Sequence, residues 1–187
     1  MSVKKKNIIV AILIIISNVI IDQITKALIV GNMKLHSSIP LIKGKNGSIF
    51  ELNYIHNKGA AWGIFSKQTA LLTIISIIVM VAVGYVFWNI KEARKFRILR
   101  ISIALLIGGA IGNMIDRIRL HYVIDFLYFR LIDFPVFNYA DICVTVALFL
   151  IIFSMIFKYK TDDFDVCLGD KKYDEKTDTY VSVREKK

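Results

Sequence analysis

Four apolar runs, separated by segments rich in charge and glycine, constrain this chain more than any other feature. They lie at about residues 8–30, 70–90, 98–118 and 138–157. Each matches the roughly 20 apolar residues that a helix needs to cross a bilayer. Hydrophobic residues make up 56% of the 187-residue chain, above the roughly 45–50% usual in a soluble domain. Because the excess is confined to these runs, the sequence predicts an integral membrane protein of four helices. The net charge of +10 does not signal nucleic acid. The basic residues abut the ends of apolar runs, where positive charge sets membrane orientation, and no nucleic-acid-binding module accompanies them.

The first run follows Lys4, Lys5 and Lys6, as in a secretory signal peptide. It continues, however, into Asp22-Gln23-Ile24-Thr25-Lys26 without a small-residue cleavage site, so an uncleaved helix is expected. In the mixed segment 31–69, Phe50, Leu52 and Tyr54 alternate with Glu51 and Asn53, and Lys45-Asn46-Gly47-Ser48 reads as a turn. That pattern predicts a short strand or hairpin within about residues 40–56. Residues 119–137 read as a loop rich in aromatic residues. The polar tail is expected to be disordered, which divides the chain into a membrane domain over 1–160 and a tail over 161–187. Lys4–Lys6, the 91–97 loop and Lys158 abut helix ends that share one side of a four-span bundle. This places both termini in the cytoplasm and the segments 31–69 and 119–137 outside.

Ionisable groups in a membrane helix cost roughly 2.5–3.5 kcal/mol each near its centre, so their positions are informative. Asp22, Lys26, Asp116, Arg117, Asp125 and Asp141 all map to the outer end of the bundle. Asp22 and Lys26, four apart, share a helix face and can pair. Asn113, Asp116 and Arg117 share another face, preceded by Gly108, Gly109 and Gly112, which let helices approach closely. For these residues, structural interhelical bonding is as good an account as chemistry. Asp125 and Asp141 differ, since neither has a basic partner at i±3 or i±4. Two such carboxylates brought together can share a proton, one activating water while the other protonates the carbonyl or the leaving amine. The same pair would also serve substrate binding or a proton relay. The three histidines (His36, His56, His121) and two cysteines (Cys143, Cys167) lack metal-ligand spacing. No metal site and no disulfide are expected.

Five segments resolve these alternatives together. They are Asp22-Gln23-Ile24-Thr25-Lys26, Asn57-Lys58-Gly59-Ala60-Ala61, Gly108 to Arg117, Val123-Ile124-Asp125-Phe126 and Phe137-Asn138-Tyr139-Ala140-Asp141. In that order they resemble bacterial lipoprotein signal peptidase, or signal peptidase II. The resemblance implies a four-helix membrane bundle with a small extracytoplasmic β-sheet between helices 1 and 2. It implies an aspartyl endopeptidase of the bacterial cytoplasmic membrane, cutting diacylglyceryl-modified prolipoproteins just before the lipidated cysteine. The catalytic pair would be Asp125 and Asp141, supported by Asp22, Lys26, Asn57, Asn113, Arg117 and Asn138. No cofactor is implied; inhibition by the cyclic peptide globomycin is, and we expect a monomer. Trp62 stands where the family often has Phe, and His121 where Gly is common.

A peptide cut at this site must be extended, and its backbone groups need partners. Asn57, Asn113, Asn138 and Arg117 are candidates, as is edge addition to a strand over 48–56. Trp62, Phe65, Tyr122, Phe126 and Tyr128 suit an interfacial position. The competing classes are a transporter, whose polar layer would lie near the midplane, a Mg²⁺-dependent lipid-modifying enzyme, and a non-catalytic assembly protein.

Overall fold

The computed structural model describes residues 2–45, 47–59, 69–90, 94–159, 163, 171–174, 177 and 179–182. The expectations for Trp62 and Phe65, and for parts of the 45–48 turn and the 91–97 loop, lie outside these residues.

Among the described residues, four helices are long and apolar enough to cross a membrane: α1 (Val3–Asn32), α2 (Thr69–Asn89), α3 (Arg97–Leu120) and α4 (Tyr139–Phe157). At 1.5 Å per residue, α1 reaches about 45 Å, longer than the hydrocarbon layer. It begins five residues before its apolar run because Ser2 caps it, the side chain accepting from Lys5 N at 3.3 Å, and because lysine is a good helix former. α3 is the hub, packing on α1, α2 and α4. Its glycines explain the closeness. A Cβ at Gly109 would stand 2.6 Å from Ala140 O on α4, and one at Gly112 would stand 2.5 Å from the Asp22 carboxylate on α1. Much of the apolar surface of α1, α2 and α4 faces outward, as expected where lipid replaces water.

A three-stranded antiparallel sheet caps one end of the bundle, in the order β1 (Ser38–Gly44), β2 (Gly47–Asn57), β3 (Val123–Tyr128). The hairpin of the first two strands agrees with the sequence pattern. The third strand corrects the expectation of a loop over 119–137: the sheet draws on the α3–α4 connection as well as the α1–α2 connection. β2 is therefore the central strand, with both edges occupied, and peptide addition to it is excluded. The free edge of β3 is itself shortened by Phe137, which exchanges backbone bonds with Leu127 at 2.8 and 2.9 Å. Tyr54, Ile124 and Phe126 pack with Ile29 of α1 and with Met33, its C-cap, to glue sheet to bundle. Phe126 is thus buried in that core rather than interfacial, and Tyr122 stacks on His56 at 3.7 Å between ring centroids.

α3 ends at His121, whose φ of 63° is left-handed. Glycine is favoured at such a C-cap because it lacks a Cβ, a physical reason for its frequency there. Beyond α4, Lys171–Asp174 (β4) and Thr179–Ser182 (β5) form an antiparallel hairpin. Tyrosine, threonine and valine in these two segments favour strand.

Candidate active site

The sheet-capped end of the bundle gathers all eight residues singled out from the sequence. Asp22 and Lys26 come from the second half of α1, Asn113 and Arg117 from the second half of α3, Asn57 from the end of β2, Asp125 from β3, and Asn138 and Asp141 from the start of α4.

The α4 end is fixed by a capping box. The Asn138 side chain accepts from Asp141 N at 3.1 Å, and Asp141 Oδ2 accepts from Asn138 N at 3.0 Å. Such reciprocal bonds satisfy two backbone donors that a helix start leaves open. They also hold the Asp141 carboxylate in one rotamer. Its other oxygen, Oδ1, accepts from Asn113 Nδ2 at 2.8 Å. Asp125, 2% exposed, accepts from Asn57 Nδ2 at 2.8 Å on Oδ2 and from Asn138 Nδ2 at 2.7 Å on Oδ1. Asn138 thus touches both carboxylates, one through its side chain and the other through its backbone. Neither aspartate forms an ion pair among the described residues.

A second layer lies behind the first. Lys26 Nζ meets Asp22 Oδ2 and Asp116 Oδ2, each at 2.9 Å, and donates to Asn113 Oδ1 at 3.0 Å. All three donors of the ammonium are used, and the group is 1% exposed. The two carboxylates then reach outward. Asp22 Oδ1 accepts from Ala140 N at 3.1 Å, and Asp116 Oδ2 accepts from Ile124 N at 3.1 Å. These bonds pin the residues immediately before Asp141 and Asp125. Buried charge is tolerated when it is paired and hydrogen-bonded, and here the pairing fixes where both outer aspartates stand.

The structure adds two contributors to those eight residues. Asp116, one of the polar groups on its helix face, pairs with Lys26 and accepts from Ile124 N. Gln23 bonds Asp22 Oδ2, Asp116 Oδ1 and Gly112 O through Nε2, at 3.2, 3.1 and 3.3 Å. A glutamine within an apolar span was the available signal.

A cavity of about 490 Å³ opens on the two carboxylates, with Asn57, Asn113 and Arg117 on its polar wall. Among the described residues, the buried Arg117 Nε has no hydrogen-bond partner, and the guanidinium is close enough to feel Asp141 and Asp125 electrostatically. The opposite wall, Phe134, Pro135, Ile142 and Val146, is apolar and runs down α4. Such a site can bind a polar backbone at one end and hydrocarbon at the other.

Burial, followed by the nearby charge of Asp141, pushes Asp125 up to about 7, against the two amide bonds and Lys26 that lower it. The native chain therefore holds this proton more tightly than the unfolded chain, whose carboxyl releases it near 3.8. The stability this proton contributes is fully present below pH 3.8 and is lost as pH rises to about 7. With 1.36 kcal/mol per pH unit, the swing is roughly 4 kcal/mol. Thermal unfolding in detergent will show wild-type Tm falling across this range, and Asp125→Asn will flatten the fall. An equally steep fall in the variant would assign it to another group.

The signal peptidase II (SPase II) family model matches residues 14–157. The chain is similar to the lipoprotein signal peptidase of Lactiplantibacillus plantarum, with 35% identity over 82% of this chain and 97% of the relative. Its similarity to that of Clostridium acetobutylicum is 37%, over 79% and 94%. For that of Clostridium tetani it is 38%, over 82% and 95%. Among solved structures, a bacterial membrane enzyme determined by the in meso method at 2.3 Å resolution superposes with a TM-score of 0.71. That chain is 34% identical, and the match covers 89% of this chain and 93% of that one.

Proposed function

The chain belongs to the signal peptidase II family, and from that premise we propose that Asp125 and Asp141 are its catalytic pair. It is a bacterial membrane protease of the aspartic type that cleaves signal peptides from prolipoproteins. The observation that carries the site assignment is that Asn138 bridges two carboxylates, neither of them ion-paired among the described residues, at the polar end of one cavity.

In this reading the more buried Asp125 holds the shared proton at rest. Asp141 takes a proton from water, and the water oxygen attacks the scissile carbonyl carbon. Asp125 gives its proton to the carbonyl oxygen, neutralising the charge that develops there. On collapse, Asp125 takes back a hydroxyl proton as the carbonyl re-forms, the proton taken up by Asp141 passes to the leaving amine, and the C–N bond breaks, which leaves the pair as it began. Asn113, Asn138 and Lys26 hold the pair in register, with Asp22 behind them. Asn57 and Arg117 face the substrate backbone.

The substrate is a prolipoprotein already carrying diacylglyceryl on its cysteine, cut just before that residue. Its acyl chains lie along the apolar wall formed by Ile142 and Val146, and globomycin inhibits by filling the same cavity. In this reading the enzyme acts as a monomer. Residues 1–160 are the peptidase domain, consistent with the extent of the family match, and 161–187 form a cytoplasmic tail. Both termini face the cytoplasm because Lys4–Lys6 and Lys158 flank that end, which puts the aspartates near the outer face, in reach of water.

The lipid requirement tests this reading. Purified chain in detergent will cut the diacylglyceryl-modified precursor at least ~100-fold faster, as kcat/KM, than the same precursor with a bare cysteine, a loss of about 3 kcal/mol in binding. Equal rates on the two would remove the acyl chains from the apolar wall.

A further inference from the structure

We propose that His56 is a positioning residue for the peptidase reaction: stacked on Tyr122 behind the sheet, it holds the end of β2 where Asn57 reaches Asp125. The inference rests on the assignment of Asp125 and Asp141 as the catalytic pair.

The two faces of the sheet differ in what they carry. Successive side chains of a strand point to opposite faces. Asn57 of β2, with Val123 and Asp125 of β3, lines the cavity. Tyr54, Ile124 and Phe126 lie behind, in the apolar cluster with Ile29 and Met33. His56 belongs to this rear face, two residues from Tyr54 and opposite Ile124 in the register. Its side chain therefore acts through a neighbour and not on the substrate.

The imidazole is held from two directions. Nε2 lies 2.9 Å from the Tyr54 hydroxyl, and the Tyr54 ring meets it edge-on at 5.4 Å. On its other side the imidazole lies flat on Tyr122, with 3.7 Å between centroids and 16° between planes. Tyr122 follows His121, the left-handed cap of α3, and packs against the rear cluster. The stack thus joins the end of β2 to the turn where α3 passes into β3. Side-chain pairs of this kind across two strands are what secure a ladder locally.

Asn57 needs that anchor. It pairs with Val123 in the last rung of the β2–β3 ladder, and chain ends of an element open most readily. Asn57 Oδ1 accepts from Gly59 N at 2.9 Å, which turns Nδ2 towards Asp125 Oδ2 at 2.8 Å. The amide keeps this aim only while the backbone at 57 keeps its place.

The Asn57 bond favours the charged form of Asp125, as does Lys26, against burial and the charge of Asp141. Arg117 is a further charge within electrostatic reach. Losing the aim of Asn57 therefore raises the pH at which Asp125 gives up its proton. Burial, with the charges of His36 and Lys58, holds His56 below its ordinary 6.5. Above pH 7 the imidazole is therefore neutral, and its removal takes no charge from the site.

The test is the pH profile of kcat/KM on a diacylglyceryl prolipoprotein in detergent. The proteins are wild type, His56→Ala, His56→Phe, Asn57→Ala, the double variant His56→Ala/Asn57→Ala, and Asp125→Asn. His56→Ala is expected to lower the plateau about tenfold and to move the alkaline limb up by about half a pH unit. His56→Phe keeps the stack and should bring plateau and limb back to near wild type. Once Asn57 is alanine, His56→Ala should move the limb no further, because the two act in series. A histidine that only supports the fold would lower the plateau through the folded fraction and leave the limb in place. That result, a further shift in the double variant, or no rescue by phenylalanine would each overturn the proposal. Wild-type turnover by Asp125→Asn would overturn the catalytic pair and this inference together. A silent Asp125→Asn beside an unshifted His56→Ala would overturn this inference alone.

Discussion

Asn at either position 125 or 141 will reduce cleavage of a diacylglyceryl prolipoprotein by at least ~10³-fold, within the range that general acid–base groups supply. Asn can neither release nor accept the proton that the mechanism moves twice. The two substitutions should nevertheless leave the fold standing. Asp125 bonds two side-chain amides, at 2.8 and 2.7 Å, and an asparagine oxygen can still accept one of them. At position 141 an asparagine oxygen can still accept from Asn138 N. The loss should therefore appear in kcat, with affinity for the lipidated precursor changed by less than about threefold, because acyl burial, not proton transfer, dominates binding. Loss of binding in step with kcat would mean that the carboxylates position the substrate.

Lys26→Met is expected to destabilise the protein by about 3–5 kcal/mol, the usual cost of leaving buried charge without its partner. The ammonium neutralises Asp22 and Asp116 at once and donates to Asn113. Its removal leaves two carboxylates, 0% and 2% exposed, facing each other. Their bonds to Ala140 N and Ile124 N then pull on the segments that carry the catalytic pair, so activity should fall with stability. The double variant Lys26→Met/Asp22→Asn removes one of the stranded charges and should recover about half of the lost stability, since the two sites are directly coupled. Thermal unfolding of the three proteins in one detergent measures this. No recovery in the double variant would show that the lysine acts by packing rather than by charge.

These two effects also mark where the sequence was readable. The spans followed from apolar length, and the convergence of polar groups at one end followed from where Asp22, Asn113 and Asp141 fall along antiparallel helices. The Asp22–Lys26 pair is a consequence of four-residue spacing, and it does form. The third strand was hidden for a physical reason. Val123 to Phe126 is buried on both faces, so it shows none of the alternation that betrays a half-exposed strand. Missing it made β2 look like an edge and Asp125 look like a loop residue. Gln23 was hidden by its neighbours, since one amide between Asp22 and Lys26 adds little to a pattern already read as charged.

The most direct test of the account is to mix purified protein with a diacylglyceryl prolipoprotein in the presence of a metal chelator and weigh the products by mass spectrometry. Wild type and Asp133→Asn, altered at an exposed aspartate outside the cavity, should both yield a fragment beginning at the lipidated cysteine. Asp125→Asn and Asp141→Asn should yield none above background. Wild-type turnover by either dyad variant, or a wild-type enzyme silenced by the chelator, would contradict the assignment of Asp125 and Asp141 as the catalytic pair.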